Sequence, residues 1–139
     1  MSQENVELVR AAYERFNAGD RAPSPELWHS DCEYVSDRRD PDPATYRGLA
    51  AITRVFHSWV DAYPDLRVEP LEILASGQRV FVWTRFSGHG AGSGVPIDME
   101  RAQVWTLEGG KIRRAEEYFD RAEGLEAVGL TKQDAHADS

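Results

Sequence analysis

The sequence predicts an α+β domain in which helices pack on a mostly antiparallel sheet that can curve around a pocket. Two observations carry this expectation. Apolar residues recur at helical spacing as far as Pro64 and alternate after it, and the alternating segments are joined by short, turn-forming stretches. A chain of 139 residues with 41% hydrophobic and 29% charged residues has the size and balance of one domain with a packed core.

The elements follow in order. Val6, Val9, Tyr13 and Phe16, widened by Leu8 and Ala12, form the apolar stripe of a first helix, which Gly19 and Asp20 end. A short second helix is expected over 24–29, with Ser24 as its cap and Pro25 in its first turn. A short strand is expected over 32–36, and the polar, proline-containing segment 37–47 is a loop. Residues 49–63 form the strongest helix, with Ile52, Val55, Phe56, Trp59, Val60 and Tyr63 on one face and Pro64 as its stop. Strands are expected over 66–74, 79–87, 97–107 and 111–121, with turns at 76–78 and at Gly109-Gly110. A helical turn over 122–128, closed by Gly129, precedes a polar tail that starts at Thr131.

Composition excludes several functions. Sixteen basic residues against 24 acidic ones give a net charge of -8, which makes nucleic acid and anionic membranes poor partners. No apolar run approaches the ~20 residues of a membrane span, and the N-terminal residues lack the pattern of a secretory signal. A cytoplasmic protein handling a small molecule is the expectation. Cys32 is the only cysteine, so an intramolecular disulfide and a cysteine metal cage are ruled out; His29, His57, His89 and His136 lack metal-ligand spacing. No metal is therefore expected. The glycine-rich stretch 88–94 lacks the Gly-Lys-Ser/Thr ending of a phosphate loop and reads as a hairpin connection. Cys32 reads as an inert core thiol, and His57 and His89 as non-catalytic.

Alternation sorts the strand residues into faces without saying which face is inner. Phe81, Trp83, Arg85 and Ser87 oppose Val80, Val82, Thr84 and Phe86; Met99, Arg101, Gln103 and Trp105 oppose Glu100, Ala102 and Val104; Glu117 and Phe119 oppose Glu116, Tyr118 and Asp120. Neither face is cleanly apolar. That fits one face lining a mixed pocket and the other meeting a partner subunit.

Several segments resemble SnoaL-like proteins of the nuclear transport factor 2-like superfamily. They are the first helix from Asn5 to Asp20, Tyr46-Arg47-Gly48, Gln103-Val104-Trp105-Thr106-Leu107, Gly110-Lys111-Ile112 and Asp120-Arg121-Ala122-Glu123 with Leu125 to Leu130. The resemblance implies a cystatin-like cone, a curved sheet wrapped around a long helix. It also implies one domain over 1–130, with 131–139 as tail, and a homodimer. Val80, Val82, Thr84, Phe86, Ala102, Val104 and Tyr118 would form the dimer face.

Functional residues are carried over position by position. Against ketosteroid isomerase, the catalytic tyrosine falls on Ala12, the base on Ser36 and the protonated aspartate near Gln103, so that activity is not expected. Against limonene epoxide hydrolase, Tyr34 and Arg85 are identical and Glu117 replaces an aspartate, while Ser36 and Ser87 are departures. Serine at 87 removes the acid that would protonate an epoxide. SnoaL-type cyclases resemble the chain at family level, and Glu117 could be their acid/base group. The resemblance to the hydrolase turns Tyr34, Ser36, Arg85, Ser87, Gln103, Trp105 and Glu117 inward. Trp83, Phe119, Phe16, Phe56 and Trp59 would be apolar walls, and Glu117 and Arg85 a pair. Two readings follow: a pocket protein for a small, mostly apolar ligand, or a cofactor-independent acid/base enzyme with Glu117 as base, assisted by Arg85 and Tyr34.

Overall fold

A computed structural model describes residues 2–130. The elements are α1 (Ser2–Asn17), β1 (Trp28–Val35), β2 (Thr45–Arg47), α2 (Leu49–Ala62), β3 (Arg67–Ser76), β4 (Arg79–His89), β5 (Pro96–Glu108), β6 (Lys111–Tyr118) and α3 (Arg121–Ala127). The strands form one curved sheet in the order β2-β1-β6-β5-β4-β3. All neighbours are antiparallel except β1 and β6, which run parallel. The expected α+β architecture is the one observed.

Local chemistry explains most boundaries. Gly19, at φ 109°, takes the chain out of α1, and Asp20 N–H donates to Arg15 O at 2.9 Å. The Asn17 amide then clamps α1 to β3, donating to Val68 O at 2.8 Å and accepting from Val68 N at 2.9 Å. Asp120 caps α3 by accepting from Ala122 N at 2.8 Å. The Gly109-Gly110 turn has positive φ at both residues, which suits a two-residue hairpin between β5 and β6.

Some elements differ from expectation. The helix expected over 24–29 is a single turn: Leu27 and Trp28 both donate to Ser24 O, and Trp28 already begins β1. β2 lies inside the segment read as a loop; its pairing partners Glu33, Tyr34 and Val35 supply the ladder that its composition does not advertise. The last strand stops at Tyr118, because Asp120 is committed to capping α3. The expected tail 131–139 lies outside the described residues.

Two cores form on opposite faces of the sheet. Under α1 and α2, the concave face holds Val9, Tyr13, Trp28, Tyr34, Ile52, Phe56, Val80, Val82, Phe86 and Trp105. On the convex face, α3 covers Phe81, Ala102 and Val104 with Leu125 and Val128. This arrangement corrects the expected dimer face. Val80, Val82, Thr84 and Phe86 turn into the cone rather than outward. Ala102 and Val104 do face outward but are fully covered, at 0% exposure. Of the apolar patch argued from the sequence, Tyr118 alone stays partly open on the outer face.

Candidate functional site

The sheet register assembles a polar line across an apolar cone. Gln103 on β5 stands opposite Glu117 on β6 and opposite Val82 on β4. Tyr34 on β1 is in register with Ala115 on β6 and so shares the inner face. Tyr13 reaches the same line from α1, and Trp105 follows Gln103 by one inward step on β5.

These side chains are bonded in series. Trp105 Nε1 donates to the Tyr13 hydroxyl at 3.0 Å, and Tyr13 donates to Gln103 Oε1 at 2.5 Å. Gln103 Nε2 donates to the Tyr34 hydroxyl at 2.8 Å, and Tyr34 donates to Glu117 Oε2 at 3.0 Å. Tyr13, Tyr34, Gln103 and Trp105 are all buried, so each polar atom needs the partner it has. Burial pushes both tyrosine hydroxyls well above their ordinary pKa, which keeps them protonated as donors.

Two cavities lie along this line. The larger, about 240 Å³, is lined by Tyr34, Ser36, Asp40, Tyr46, Trp59, Tyr63, Arg101 and Glu117 among others. The smaller, about 50 Å³, lies against Tyr13, Phe16, Trp28, Phe56, Gln103 and Trp105. Trp59 and Phe86 line both and stand between them. The larger volume is below the ~300–1,000 Å³ of sites for drug-sized ligands, which suits a smaller molecule.

Glu117 is the carboxylate of this cavity that the sheet itself positions. Burial pushes its pKa up, opposed by the Tyr34 hydrogen bond and by the field of Arg101; Asp40 and Asp37 add to the rise. Arg101 itself is held elsewhere, its guanidinium 4.3 Å from the Phe119 ring centroid and donating to Glu100 O at 2.8 Å. A carboxyl with a raised pKa and one oxygen unbonded can take up or release a proton within the cavity.

The structure brings together Tyr34, Ser36, Gln103, Trp105, Glu117, Phe16, Phe56 and Trp59 on the walls of the two cavities. The Ser36 hydroxyl is occupied, accepting from Ala44 N at 2.7 Å and donating to Ala44 O at 3.1 Å. Four expected residues are not there. Arg85, Ser87 and Trp83 sit on the convex face, since Val82 and not Trp83 opposes inward-facing Gln103. Arg85 pairs with Asp98 at 2.6 Å, both half-exposed, so the expected Arg85–Glu117 pair does not exist. Phe119 lies outside both linings, beneath Arg101 and Arg39.

Sequence reasoning missed Tyr13, Asp40, Tyr46, Tyr63 and Arg101. Tyr13 and Tyr63 carried only the signal of helix core positions. Arg101 shares the phase of Gln103 and Trp105, and that alternation could have found it. Among the described residues, no three His, Cys, Asp or Glu side chains group as metal ligands, and no helix is long and apolar enough to cross a membrane.

Comparison with known proteins gives the geometry a context. Residues 9–115 match the SnoaL-like domain. No curated protein matches the chain in sequence. Among solved structures, a SnoaL-like polyketide cyclase from Jannaschia superposes with a TM-score of 0.75 at 19% identity, covering 91% of this chain and 92% of that one. A protein with a ketosteroid isomerase-like fold from Catenulispora acidiphila, in complex with trimethylamine, gives 0.71 at 20% identity over 89% and 93%. The epoxide hydrolase/cyclase-like enzyme SalBIII, of polyether salinomycin formation, gives 0.70 at 21% identity over 85% and 92%. At these identities the likeness establishes the fold.

Proposed function

The chain belongs to the SnoaL-like domain family, and from that premise we propose that its cone takes a small, mostly apolar molecule and that Glu117 exchanges a proton with it. One observation carries the proposal: Glu117 is a carboxyl whose pKa burial raises, tied through one oxygen to Tyr34, on the wall of a cavity of about 240 Å³. Tyr46, Trp59, Tyr63 and Phe86 would supply apolar walls, and Arg101 would stabilise negative charge that develops as the proton leaves. Activated C–H acids and strained ethers are the substrate classes this supports. The related fold in a protein assigned as a SnoaL-like polyketide cyclase and in an epoxide hydrolase/cyclase-like enzyme supports the same direction. The reaction calls on no cofactor.

The test is proton NMR in D2O with a panel of small cyclic ketones, 1,3-dicarbonyls and epoxides. The proposal expects deuterium incorporation or ring opening that Glu117→Gln abolishes while the fold persists. Turnover that survives Glu117→Gln contradicts it.

A binding-only pocket is the second reading, favoured by one observation. The inward residues of β4 beside the cavity are Thr84 and Phe86, so that strand offers no second acid. Ligand binding by both wild type and Glu117→Gln, without chemistry in either, is the outcome that reading expects.

A further inference from the structure

The hydrogen bonds of Trp105, Tyr13, Gln103 and Tyr34 run in one direction, and their ends fix that direction. An indole N–H can only donate, and an ionised carboxylate can only accept. Between these ends each tyrosine has one proton, and Gln103 has one accepting oxygen and one donating nitrogen. With Glu117 ionised, the observed order satisfies every polar atom in the line: Trp105 to Tyr13, Tyr13 to Gln103 Oε1, Gln103 Nε2 to Tyr34, and Tyr34 to Glu117 Oε2.

Reversing the line fails. A proton on Glu117 Oε2 that pointed at Tyr34 would take away the acceptor of the Tyr34 proton, and keeping that proton in the line would mean turning it towards Gln103. The amide would have to flip and donate to Tyr13. The Tyr13 oxygen would then accept from both Gln103 Nε2 and Trp105 Nε1, and its own buried proton would lose the acceptor it has in Gln103 Oε1. The second carboxylate oxygen, Oε1, has no such conflict. It has no hydrogen-bond partner among the described residues, yet the one fully enclosed unpartnered side-chain polar atom among them is Asn5 Nδ2. Oε1 is therefore not fully enclosed; Glu117 lines the cavity of about 240 Å³ and also a second hollow with Asp37, Glu116 and Glu123.

We infer that Trp105, Tyr13, Gln103 and Tyr34 form a one-way relay that directs the exchangeable proton of Glu117 to Oε1, the oxygen outside the line. Gln103 and Tyr13 are thus positioning residues for the proposed base. The inference rests on Glu117 being the proton-exchanging group. Tyr34 from β1, Arg101 from β5 and Asp37 and Asp40 from the segment after β1 also act on Glu117, and the relay works against that background.

The test is site-resolved carbon NMR of the Glu117 carboxyl through a pH titration of the full chain, in wild type, Tyr34→Phe and Tyr13→Phe. Tyr34→Phe removes the bond to the charged form and should raise the midpoint by about one pH unit. Tyr13→Phe frees Gln103 to flip and to draw the Tyr34 proton away, so it should raise the same midpoint, by less, although Tyr13 makes no hydrogen bond to Glu117. A rise in Tyr34→Phe without one in Tyr13→Phe overturns the relay and leaves Glu117 as the base. A midpoint indifferent to both overturns the relay and the hydrogen bond on which the base assignment depends. If Tyr13→Phe does not fold, the wild type decides. The Tyr13 Cζ resonance should keep its value through the Glu117 midpoint, because the line does not reverse, and a resonance that titrates with that midpoint overturns the relay.

Discussion

Gln103 and Glu117 stand directly opposite each other on β5 and β6, yet they are joined through Tyr34, which accepts from Gln103 at 2.8 Å and donates to Glu117 at 3.0 Å. Two neighbouring strands thus place the amide and the carboxyl, and a third, parallel strand supplies the hydroxyl between them. The parallel pairing of β1 with β6 is the step of the fold that makes the site.

Gln103→Leu keeps the approximate volume and removes both amide partners. The Tyr13 hydroxyl loses its acceptor and the Tyr34 oxygen its donor, both in the core. A loss of about 2 kcal/mol is expected in urea denaturation, the cost of leaving buried polar groups unpaired. A midpoint equal to that of wild type would show that the line carries no stability.

The sequence made α1, α2 and the run of strands β3 to β6 legible for physical reasons. Residues 49–63 announce α2 because one helical face is apolar and Pro64 ends it, and the turns between β3, β4, β5 and β6 are short. The phase of β4 was not legible. Phe81 and Trp83 pack beneath α3 while Val80 and Val82 pack beneath α1 and α2, so both faces are apolar and alternation cannot tell them apart. Orientation was therefore taken from the resemblance at Arg85-Phe86-Ser87, one residue out of phase with the observed ladder, and that slip exchanged the pocket face for the outer face. Glu117, Tyr34 and Gln103 escaped the error because β5 and β6 kept the expected phase. Tyr46 escaped notice because a three-residue strand in a polar stretch has too few positions to show a period.

Asp37 should make the fold acid-sensitive. Its buried carboxylate accepts from Arg39 and from Phe119 N at 2.7 Å, which holds the chain after β1 to the chain after β6. The Arg39 guanidinium, first among the causes, holds its pKa down at about 2. The folded pKa lies below the unfolded one, so the contribution is complete above pH ~4 and disappears as pH falls through about 2. Since Arg39 is partly exposed and screened, the contribution is on the order of 1–2 kcal/mol. Stability of Asp37→Asn measured between pH 2 and 6 should lose this slope; an unchanged slope would assign the acid sensitivity elsewhere.

Gly124→Ala tests the packing of α3 on the convex face. An added Cβ would stand 2.7 Å from Ala102 Cβ and 3.0 Å from Phe81 Cε1. Overpacking of this kind costs about 1–3 kcal/mol, and thermal unfolding should show it as a lowered Tm. An unchanged Tm would mean that α3 can lift from the sheet without loss.

The central claim, that Glu117 is a cavity carboxyl poised to exchange a proton, is tested most directly by its own titration in the wild-type chain. Its folded pKa is raised, chiefly by burial, so the native state holds this proton more tightly than the unfolded chain. The sign then requires that Glu117 lowers stability as pH rises through its midpoint, and that Glu117→Gln is at least as stable as wild type at pH 7. Carbon NMR of the carboxyl should give a midpoint above the usual glutamate value of about 4.3, unchanged in Arg85→Ala because Arg85 lies on the other face of the sheet. A midpoint at or below that value, or one that moves when Arg85 is removed, would contradict the account.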